Sequence, residues 1–202
     1  MLAIERFLRQ TWRLFAAQQA VFAGSPGSGT LPPNASAELK ELHFVRHRTI
    51  AQVTKDVENF EFNTALSRLM EFVNQLYQYT AQPAEKQDAA YLRPAFEDLL
   101  LLLAPLAPHL GEEMWEATGH TGTVFNAPWP THDPAALKRD EVELAIQVNG
   151  KVREQFTVPS DMAENELKER AAAYGKIPSL LEGKTVVKIV VVKGRLVNIV
   201  VK

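Results

Sequence analysis

The segment QVNGKVR, at Gln147–Arg153, decides the fold of the last third of the chain. Its Asn149-Gly150 pair is a turn dipeptide between two runs of alternating apolar residues, which is the strongest short-range signal of a β-hairpin. With a strict two-residue turn, Val148 would lie opposite Lys151, and Val152 would point away from the core. Because Val152 and the apolar residues after it should share the core face, we expect an odd-length loop or a β-bulge.

A second hairpin is predicted for the end of the chain, where alternation resumes over Thr185–Lys202 and includes GRLVNIVV at Gly194–Val201. Between the two hairpins, Asp161 and Glu164 fit a capping box at the start of a helix. Residues 140–202 are therefore expected to form a small α+β domain with the element order ββαββ.

The first part of the chain, residues 1–118, has the apolar spacing of amphipathic helices instead. Four helices are predicted, over residues 2–22, 35–57, 63–81 and 89–115, and the prolines at 105 and 108 should kink or interrupt the last one. Residues 24–34 are predicted to be a flexible surface loop and residues 119–139 a Pro/Gly-rich linker. The expected fold is multidomain and mainly α, with a four-helix bundle followed by the small α+β domain.

Composition excludes several classes of protein. The chain has 202 residues, of which 46% are hydrophobic and 23% charged, as in ordinary globular proteins. It has no cysteine, so disulfides, thiol catalysis and zinc sites with cysteine ligands are excluded. The longest apolar run is too short to cross a bilayer and no secretory signal is visible, so we expect a soluble, cytoplasmic protein without membrane contact.

No catalytic or metal-binding motif is visible in the sequence. His109, Glu112 and Glu113 share a helical face, but they lack the second histidine of a zinc protease motif. His43 and His47 are four residues apart without a general base between them, and we interpret them as a surface pair. We therefore predict that the chain has no catalytic residue, no metal site and no cofactor of its own.

The charge pattern indicates an anionic partner for the small domain. The net charge is −2, but residues 140–202 carry ten Lys/Arg against nine Asp/Glu, and residues 184–202 contain five basic residues and no acidic one. Such a face favours a phosphate backbone.

Bundle helices and asparagines near the turns add further candidates, and Trp115, Phe125 and Trp129 could stack on bases or plug the end of the bundle. The predicted nucleic-acid contacts are Asn149, Lys151, Arg153, Lys188, Lys193, Arg195 and Asn198, together with Arg46, Arg48 and Lys55.

Several segments resemble the C-terminal part of bacterial-type leucyl-tRNA synthetase. HRTIAQVTKDVENFEFNTALSRLMEFVNQL (His47–Leu76) looks like two helices of the anticodon-binding bundle of that family. LLLLLAPLAPHLGEEMW (Leu99–Trp115) resembles a stretch shared by the leucine, isoleucine, valine and methionine enzymes. IQVNGKVRE (Ile146–Glu154) and EGKTVVKIVVVKGRLVNIVV (Glu182–Val201) resemble the small domain of the leucine enzymes.

The resemblance implies a tRNA-holding role, with leucine tRNA as the expected partner. The bundle would lie along the anticodon stem, and the small domain would reach the corner of the tRNA, where shape and backbone contacts dominate. The family's HIGH-type and KMSKS-type motifs are not found in these residues, so ATP, Mg²⁺ and catalysis would belong to the rest of a longer synthetase acting in cis. We expect a monomer.

Two alternatives remain open from the residues. One is the anticodon-reading bundle of a sister enzyme for valine or isoleucine, against which the VNGKVR and GRLVNIVV segments argue. The other is a protein–protein docking module that pairs through the edge of the second hairpin, and the excess negative charge of residues 1–139 favours it. Binding through strand pairing should depend little on salt, whereas RNA binding should fall steeply.

Overall fold

The chain folds into two compact units, residues 1–138 and 139–202, in a computed structural model that describes residues 2–24, 26–138, 141–160, 162–192 and 195–202. Each unit has a hydrophobic core of its own. Phe15, Leu69, Phe72 and Phe96 are fully buried in the first unit, and Leu144, Ile146 and Ile199 are among the buried residues of the second. The predicted class, a mainly helical protein with a small C-terminal sheet domain, is confirmed.

In its described residues, the first unit contains six α-helices, which lie close to the predicted positions. Helix α1 ends at Ala17 and is followed by the single turn α2, so the first predicted helix is divided. The last predicted helix is divided as well, because Pro105 and Pro108 cannot donate backbone hydrogen bonds inside a continuous helix. The bounds are Leu2–Ala17 for α1, Gln19–Phe22 for α2, Ala37–Glu58 for α3, Phe62–Thr80 for α4, Ala89–Leu103 for α5 and Pro108–Ala117 for α6.

The glycine-rich loop after α2 is held against α5, contrary to the expectation of a flexible surface loop. The guanidinium of Arg93 donates to the carbonyl oxygens of Phe22 (3.1 Å) and Gly24 (2.6 Å). Farther along, the backbone of Gly27 lies so close to Ala90 that an added Cβ would stand 1.7 Å from the Ala90 carbonyl oxygen. Only glycine fits this approach, so Gly27 serves close packing here rather than mobility.

The segment predicted as a linker, residues 119–139, packs on the helices as far as the structure describes it. Val124 and Ala136 are buried. The Glu112 carboxylate accepts hydrogen bonds from the hydroxyl of Thr123 and from the backbone N–H of Val124, the latter at 3.1 Å. Proline and glycine in this stretch therefore shape a packed strap, residues 119–138, instead of a free connection.

As far as the structure describes it, the second unit is a four-stranded mixed sheet with two helices. Its strands are Glu141–Val148 (β1), Lys151–Pro159 (β2), Val186–Val192 (β3) and Leu196–Val201 (β4), in the spatial order β2-β1-β4-β3. The two hairpins are antiparallel, as predicted, and the central strands β1 and β4 run parallel to each other. The helices are Glu164–Ala173 (α7) and Ile177–Leu181 (α8), and α7 lies against β3 and β4.

The first hairpin has a two-residue turn followed by a bulge. Asn149 and Gly150 both have positive φ, 49° and 78°, as a type I′ turn requires. Val148 pairs with Lys151 and Gln147 with Val152, and the register then shifts so that Ile146 pairs with Glu154. The predicted bulge is confirmed and returns later β2 residues to the core face. The placement of Val152 in the core is wrong, because it precedes the shift and is 56% exposed.

The predicted capping box before α7 is wrong in register. The helix begins at Glu164, so its N-cap residue is Ala163, whose methyl side chain cannot accept a hydrogen bond. Asp161 itself lies outside the described residues.

Candidate nucleic-acid interface

Helix α1 presents an exposed basic ridge made of Arg6, Arg9 and Arg13, with the exposed indole of Trp12 beside it. The arginines are spaced by three and four residues, so they share one face of the helix. All three are exposed, and Trp12 is 40% exposed. Guanidinium groups with a neighbouring aromatic ring suit a phosphate backbone with accessible bases.

The opposite face of α1 explains why the ridge points outward. Phe7, Leu14 and Phe15 are buried in the helical core, and the hydroxyl of Tyr77 on α4 donates to the carbonyl oxygen of Gln10 at 2.8 Å. A shallow groove between α1 and α4 is lined by Glu5, Arg6, Arg9, Gln10, Arg13 and Tyr77. The helix is therefore fixed in rotation, with the arginines on its exposed side.

One arginine of the ridge already has an acidic neighbour. Arg9 lies 2.9 Å from Glu5 one turn earlier, but both side chains are more than half exposed. Ion pairs of this kind contribute between nothing and about 1 kcal/mol. The pair can therefore open to a phosphate at little cost.

The small unit places four of its five predicted basic contacts on the surface. Lys151, Arg153, Lys188 and Arg195 are exposed, and Lys193 lies outside the described residues. Lys151 follows the first turn and Lys188 lies opposite Val200 near the end of β4, so both are at the same end of the sheet. Arg195 lies at the opposite end, since its carbonyl oxygen accepts from the Ala145 N–H where β4 begins.

The two asparagines predicted to contact RNA are engaged within the sheet. The Asn149 amide nitrogen donates to the carbonyl oxygen of Val201 at 3.1 Å, and its oxygen accepts from the Val201 N–H at 2.9 Å. The Asn198 side-chain oxygen accepts from the Gly150 N–H at 3.1 Å. These contacts attach the first turn to β4, which gives both asparagines a structural role.

The three basic residues predicted on α3 have different surroundings. Arg46, predicted to contact nucleic acid, is buried: its Nε lies 2.6 Å from Asp98, its Nη1 donates to Gly29, and it stacks over the Tyr91 ring. Arg48 is partly exposed and pairs with Glu71 at 2.9 Å. Lys55 is exposed. Of these three residues, Arg46 is thus the one that is buried with its charge already paired.

The aromatic candidates near residue 120 are divided between core and surface. Trp115 is buried and stacks on His120, with ring centroids 3.8 Å apart. Trp129 is 36% exposed and donates its Nε1–H to the Thr54 hydroxyl at 2.8 Å, whereas Phe125 is 56% exposed. Trp115 and Trp129 therefore hold the strap in place, and Phe125 is the ring of the three that is most open to a ligand.

His43 and His47 form a pair between α3, α5 and the strap in which His43 is partly buried and His47 is buried, not the surface pair that their spacing indicated. His43 Nδ1 lies 2.8 Å from the Tyr91 hydroxyl, and His47 Nδ1 accepts from the Asp133 N–H at 3.1 Å. Burial lowers the pKa of His47 to about 4, with help from the positive charge of Arg46. His47 is thus neutral at physiological pH and acts as an acceptor for the strap.

The basic ridge on α1 was missed by the sequence reasoning, although its signal was present. The spacing of Arg6, Arg9 and Arg13 is visible in the sequence, but the predicted basic contacts lay only on α3 and in the two hairpins. Among the described residues, no helix is long and apolar enough to span a membrane. No group of three or more potential metal ligands occurs in that same part of the chain.

Comparison with known proteins gives a consistent result. The model of the family described as "Anticodon-binding domain of tRNA ligase" matches residues 40–168. A leucine–tRNA ligase of Clostridium perfringens is 46% identical over 201 residues, which are 99% of this chain and 24% of that protein. One from Caldanaerobacter subterraneus is 49% identical over 162 residues, covering 80% of this chain and 20% of that protein.

A solved structure matches the whole fold as well. The ternary complex of LeuRS, tRNA and LeuAMS from Agrobacterium radiobacter K84 contains a chain that superposes with a TM-score of 0.78 and 29% identity. The match covers 99% of this chain and 25% of that one. The chain therefore spans about a quarter of the length of the relatives it matches.

Proposed function

Because the chain belongs to the family of anticodon-binding domains of tRNA ligases, and is similar over nearly its whole length to part of leucine–tRNA ligases, we propose that it holds tRNA for such an enzyme. The partner is leucine tRNA. The complete enzyme joins leucine to this tRNA with ATP and Mg²⁺, and this chain contributes binding rather than chemistry. It acts in cis with the remainder of the synthetase.

The observation that carries the proposal is the ridge of Arg6, Arg9 and Arg13 on α1. The three arginines leave one face of a fixed helix with neighbouring Cβ atoms roughly 5 to 6 Å apart, so their guanidinium groups can contact neighbouring phosphates of one RNA strand. Arginine binds phosphate with two hydrogen bonds in a plane, so each contact adds orientation as well as charge. Trp12 beside the ridge can cover an exposed base or ribose.

The small unit supplies a second basic surface of the same character. Lys151, Arg153, Lys188 and Arg195 are exposed around a sheet whose own asparagines are occupied by structural hydrogen bonds. Contacts from these side chains reach phosphates rather than base edges, so they position the tRNA without reading its sequence. Contacts with phosphates favour recognition of tRNA shape over recognition of an anticodon.

The test is a fluorescence titration of the chain with leucine tRNA, valine tRNA and an unrelated RNA hairpin at two salt concentrations. We expect tight, salt-sensitive binding to tRNA, because phosphate contacts release counterions. The triple variant Arg6→Ala/Arg9→Ala/Arg13→Ala should bind at least about tenfold more weakly, and its log–log salt slope should fall by about one unit per lost contact. The variant Lys151→Ala/Arg153→Ala/Lys188→Ala should behave in the same way.

A matched control removes three exposed positive charges elsewhere, in Lys40→Ala/Lys86→Ala/Lys176→Ala. If this control loses as much affinity as the α1 variant, binding depends on overall charge and the ridge is not a specific contact. If the wild-type chain binds none of the RNAs, the tRNA-holding proposal is wrong. Salt-independent binding to a protein partner would then support the docking alternative.

A further inference from the structure

The first turn of the small unit contains a dipeptide with intrinsic chemical reactivity. In an Asn-Gly pair, the backbone nitrogen that follows the asparagine can attack the side-chain amide carbon. The new N–Cγ bond closes a succinimide and ammonia leaves, and water then opens the ring to aspartate or isoaspartate. Glycine permits this step best because it has no side chain to hinder the approach. Asn149-Gly150 is the only Asn-Gly pair in the sequence.

In the folded unit, both reacting groups at this pair are held by hydrogen bonds to β4. The electrophile is the Asn149 amide, whose nitrogen and oxygen both bond to the backbone of Val201, at 3.1 and 2.9 Å. The nucleophile is the Gly150 nitrogen, whose N–H donates to the Asn198 side-chain oxygen at 3.1 Å. The turn is also fixed in its left-handed conformation, with φ of 49° at Asn149.

These hydrogen bonds hinder both movements that the reaction requires. The Gly150 nitrogen must lose its proton and approach the Asn149 Cγ, but its N–H is directed at Asn198. The Asn149 amide must rotate away from Val201, which breaks two hydrogen bonds at once. All three hydrogen bonds must break before the groups can meet, so a reactive geometry requires that the turn first separate from β4.

We propose that Asn149 is a latent deamidation site and that Asn198, together with the Val201 backbone, protects it. Modification occurs in molecules whose β4 has separated from β1. The product cannot return to the same structure, because a carboxylate has no N–H to donate to the Val201 carbonyl oxygen. Isoaspartate additionally lengthens the backbone of the turn by one methylene group.

The test measures deamidation in the full chain by mass spectrometry of the peptide that contains residue 149, during incubation at pH 8 and 37 °C. We expect folded wild-type protein to deamidate at least about tenfold more slowly than the same chain in denaturant, since opening must precede reaction. Asn198→Ala should accelerate the reaction several-fold in the folded state. Asn198→Asp retains an acceptor oxygen for the Gly150 N–H and should react like wild type.

A control on the same strand and the same sheet face is Leu196→Ala, which leaves the turn contacts intact and should not accelerate the reaction. Equal rates in folded and denatured wild-type protein would overturn the proposal. If a folded Asn198→Ala variant deamidates at the wild-type rate, Asn198 does not protect the site and that part of the proposal is wrong. If Asn198→Ala does not fold, hydrogen exchange of the Gly150 amide in wild type decides: slow exchange supports the protection, and exchange at the rate of an unstructured peptide refutes it.

Discussion

His47 anchors the strap only while its imidazole is neutral. Its Nδ1 accepts from the Asp133 N–H, and only the neutral imidazole can do so at this nitrogen. The side chain is buried, and the neighbouring cation Arg46 adds to the cost of a positive charge. Because the pKa of His47 is about 4 in the folded chain and near 6.5 when unfolded, protonation favours the unfolded chain.

The stability of the helical unit should consequently fall as the pH is lowered from about 6.5 to about 4. The unfolded chain binds the extra proton in this interval, and the loss from His47 amounts to about 3 kcal/mol at most. Above pH 6.5 this group should have no effect. The measurement is the free energy of unfolding by urea across this range, for wild type and His47→Asn.

The asparagine variant retains an acceptor oxygen near the position of Nδ1 but does not titrate. Its stability should vary less with pH than that of wild type in this interval. An identical pH dependence in both proteins would show that other groups dominate and that His47 is not the acid-sensitive contact.

At the level of single residues, the sequence predicted which basic side chains are exposed better than it predicted which one is buried against a partner. Lys151, Arg153 and Lys188 are exposed as expected, because they flank turns or lie on an edge strand. Arg46 has the same residue type and helical context as Arg48, and no local signal distinguished the one that faces Asp98, 52 residues later. Burial of a charge depends on partners that are distant in sequence, so local periodicity could not reveal it.

At the level of elements, the end of α3 carries a backbone conformation that its residue does not favour. The Phe60 N–H donates to Val57 and the Glu61 N–H donates to Asp56, which is the Schellman arrangement of a helix terminus. Phe60 occupies the left-handed position, with φ of 59°, where glycine is usual. Phe60 is 79% exposed, so the burial of its ring contributes little stability to offset the backbone strain.

Phe60→Gly should therefore raise the free energy of unfolding by roughly 0.5–1 kcal/mol, since glycine adopts this conformation without a steric penalty. Thermal unfolding measured by circular dichroism provides the test. Phe60→Ala is the control: it removes the ring but keeps a Cβ in the left-handed conformation, so it should bring no gain. Destabilisation by the glycine variant would mean that the contact between the Phe60 and Phe62 rings outweighs the strain.

Elements with a strong local signal were predicted, and pairings between distant elements were not. Apolar spacing gave the main helices, and Asn149-Gly150 gave the first hairpin with its bulge. The parallel pairing of β1 with β4 joins residues about 50 positions apart, and no dipeptide or periodicity encodes such a partner. The packing of the strap was missed for a similar reason, since its partners on the helices, such as His47 and Thr54, lie more than 70 positions away in the sequence.

At the level of the whole molecule, the two units have separate hydrophobic cores. All three tryptophans, Trp12, Trp115 and Trp129, belong to the helical unit. The small unit has only about 60 residues, a size at which less surface is buried and stability is lower. Tryptophan fluorescence therefore follows the helical unit alone, whereas circular dichroism follows both.

We expect two unfolding transitions, with the small unit melting first and without a change in tryptophan fluorescence. Ile199→Ala should lower the temperature of the earlier transition only, and Leu69→Ala that of the later one only. Each substitution should reduce the free energy of unfolding of its unit by about 2–5 kcal/mol, because both side chains are fully buried. Differential scanning calorimetry combined with the two optical signals measures this. A single transition that both substitutions shift equally would show that the units unfold as one.

The position of β4 between β1 and β3 also determines when the sheet can close during synthesis. A ribosome releases the chain from its N-terminal end, so β1, β2 and α7 emerge before the strand that joins the two halves exists. Until residue 201 has left the exit tunnel, β3, with the sequence VVKIVVV, has no partner strand, and Lys188 is its only charge. The short connection from β3 to β4 keeps that interval brief, and a translational pause placed there would lengthen the exposure of a strand prone to aggregation.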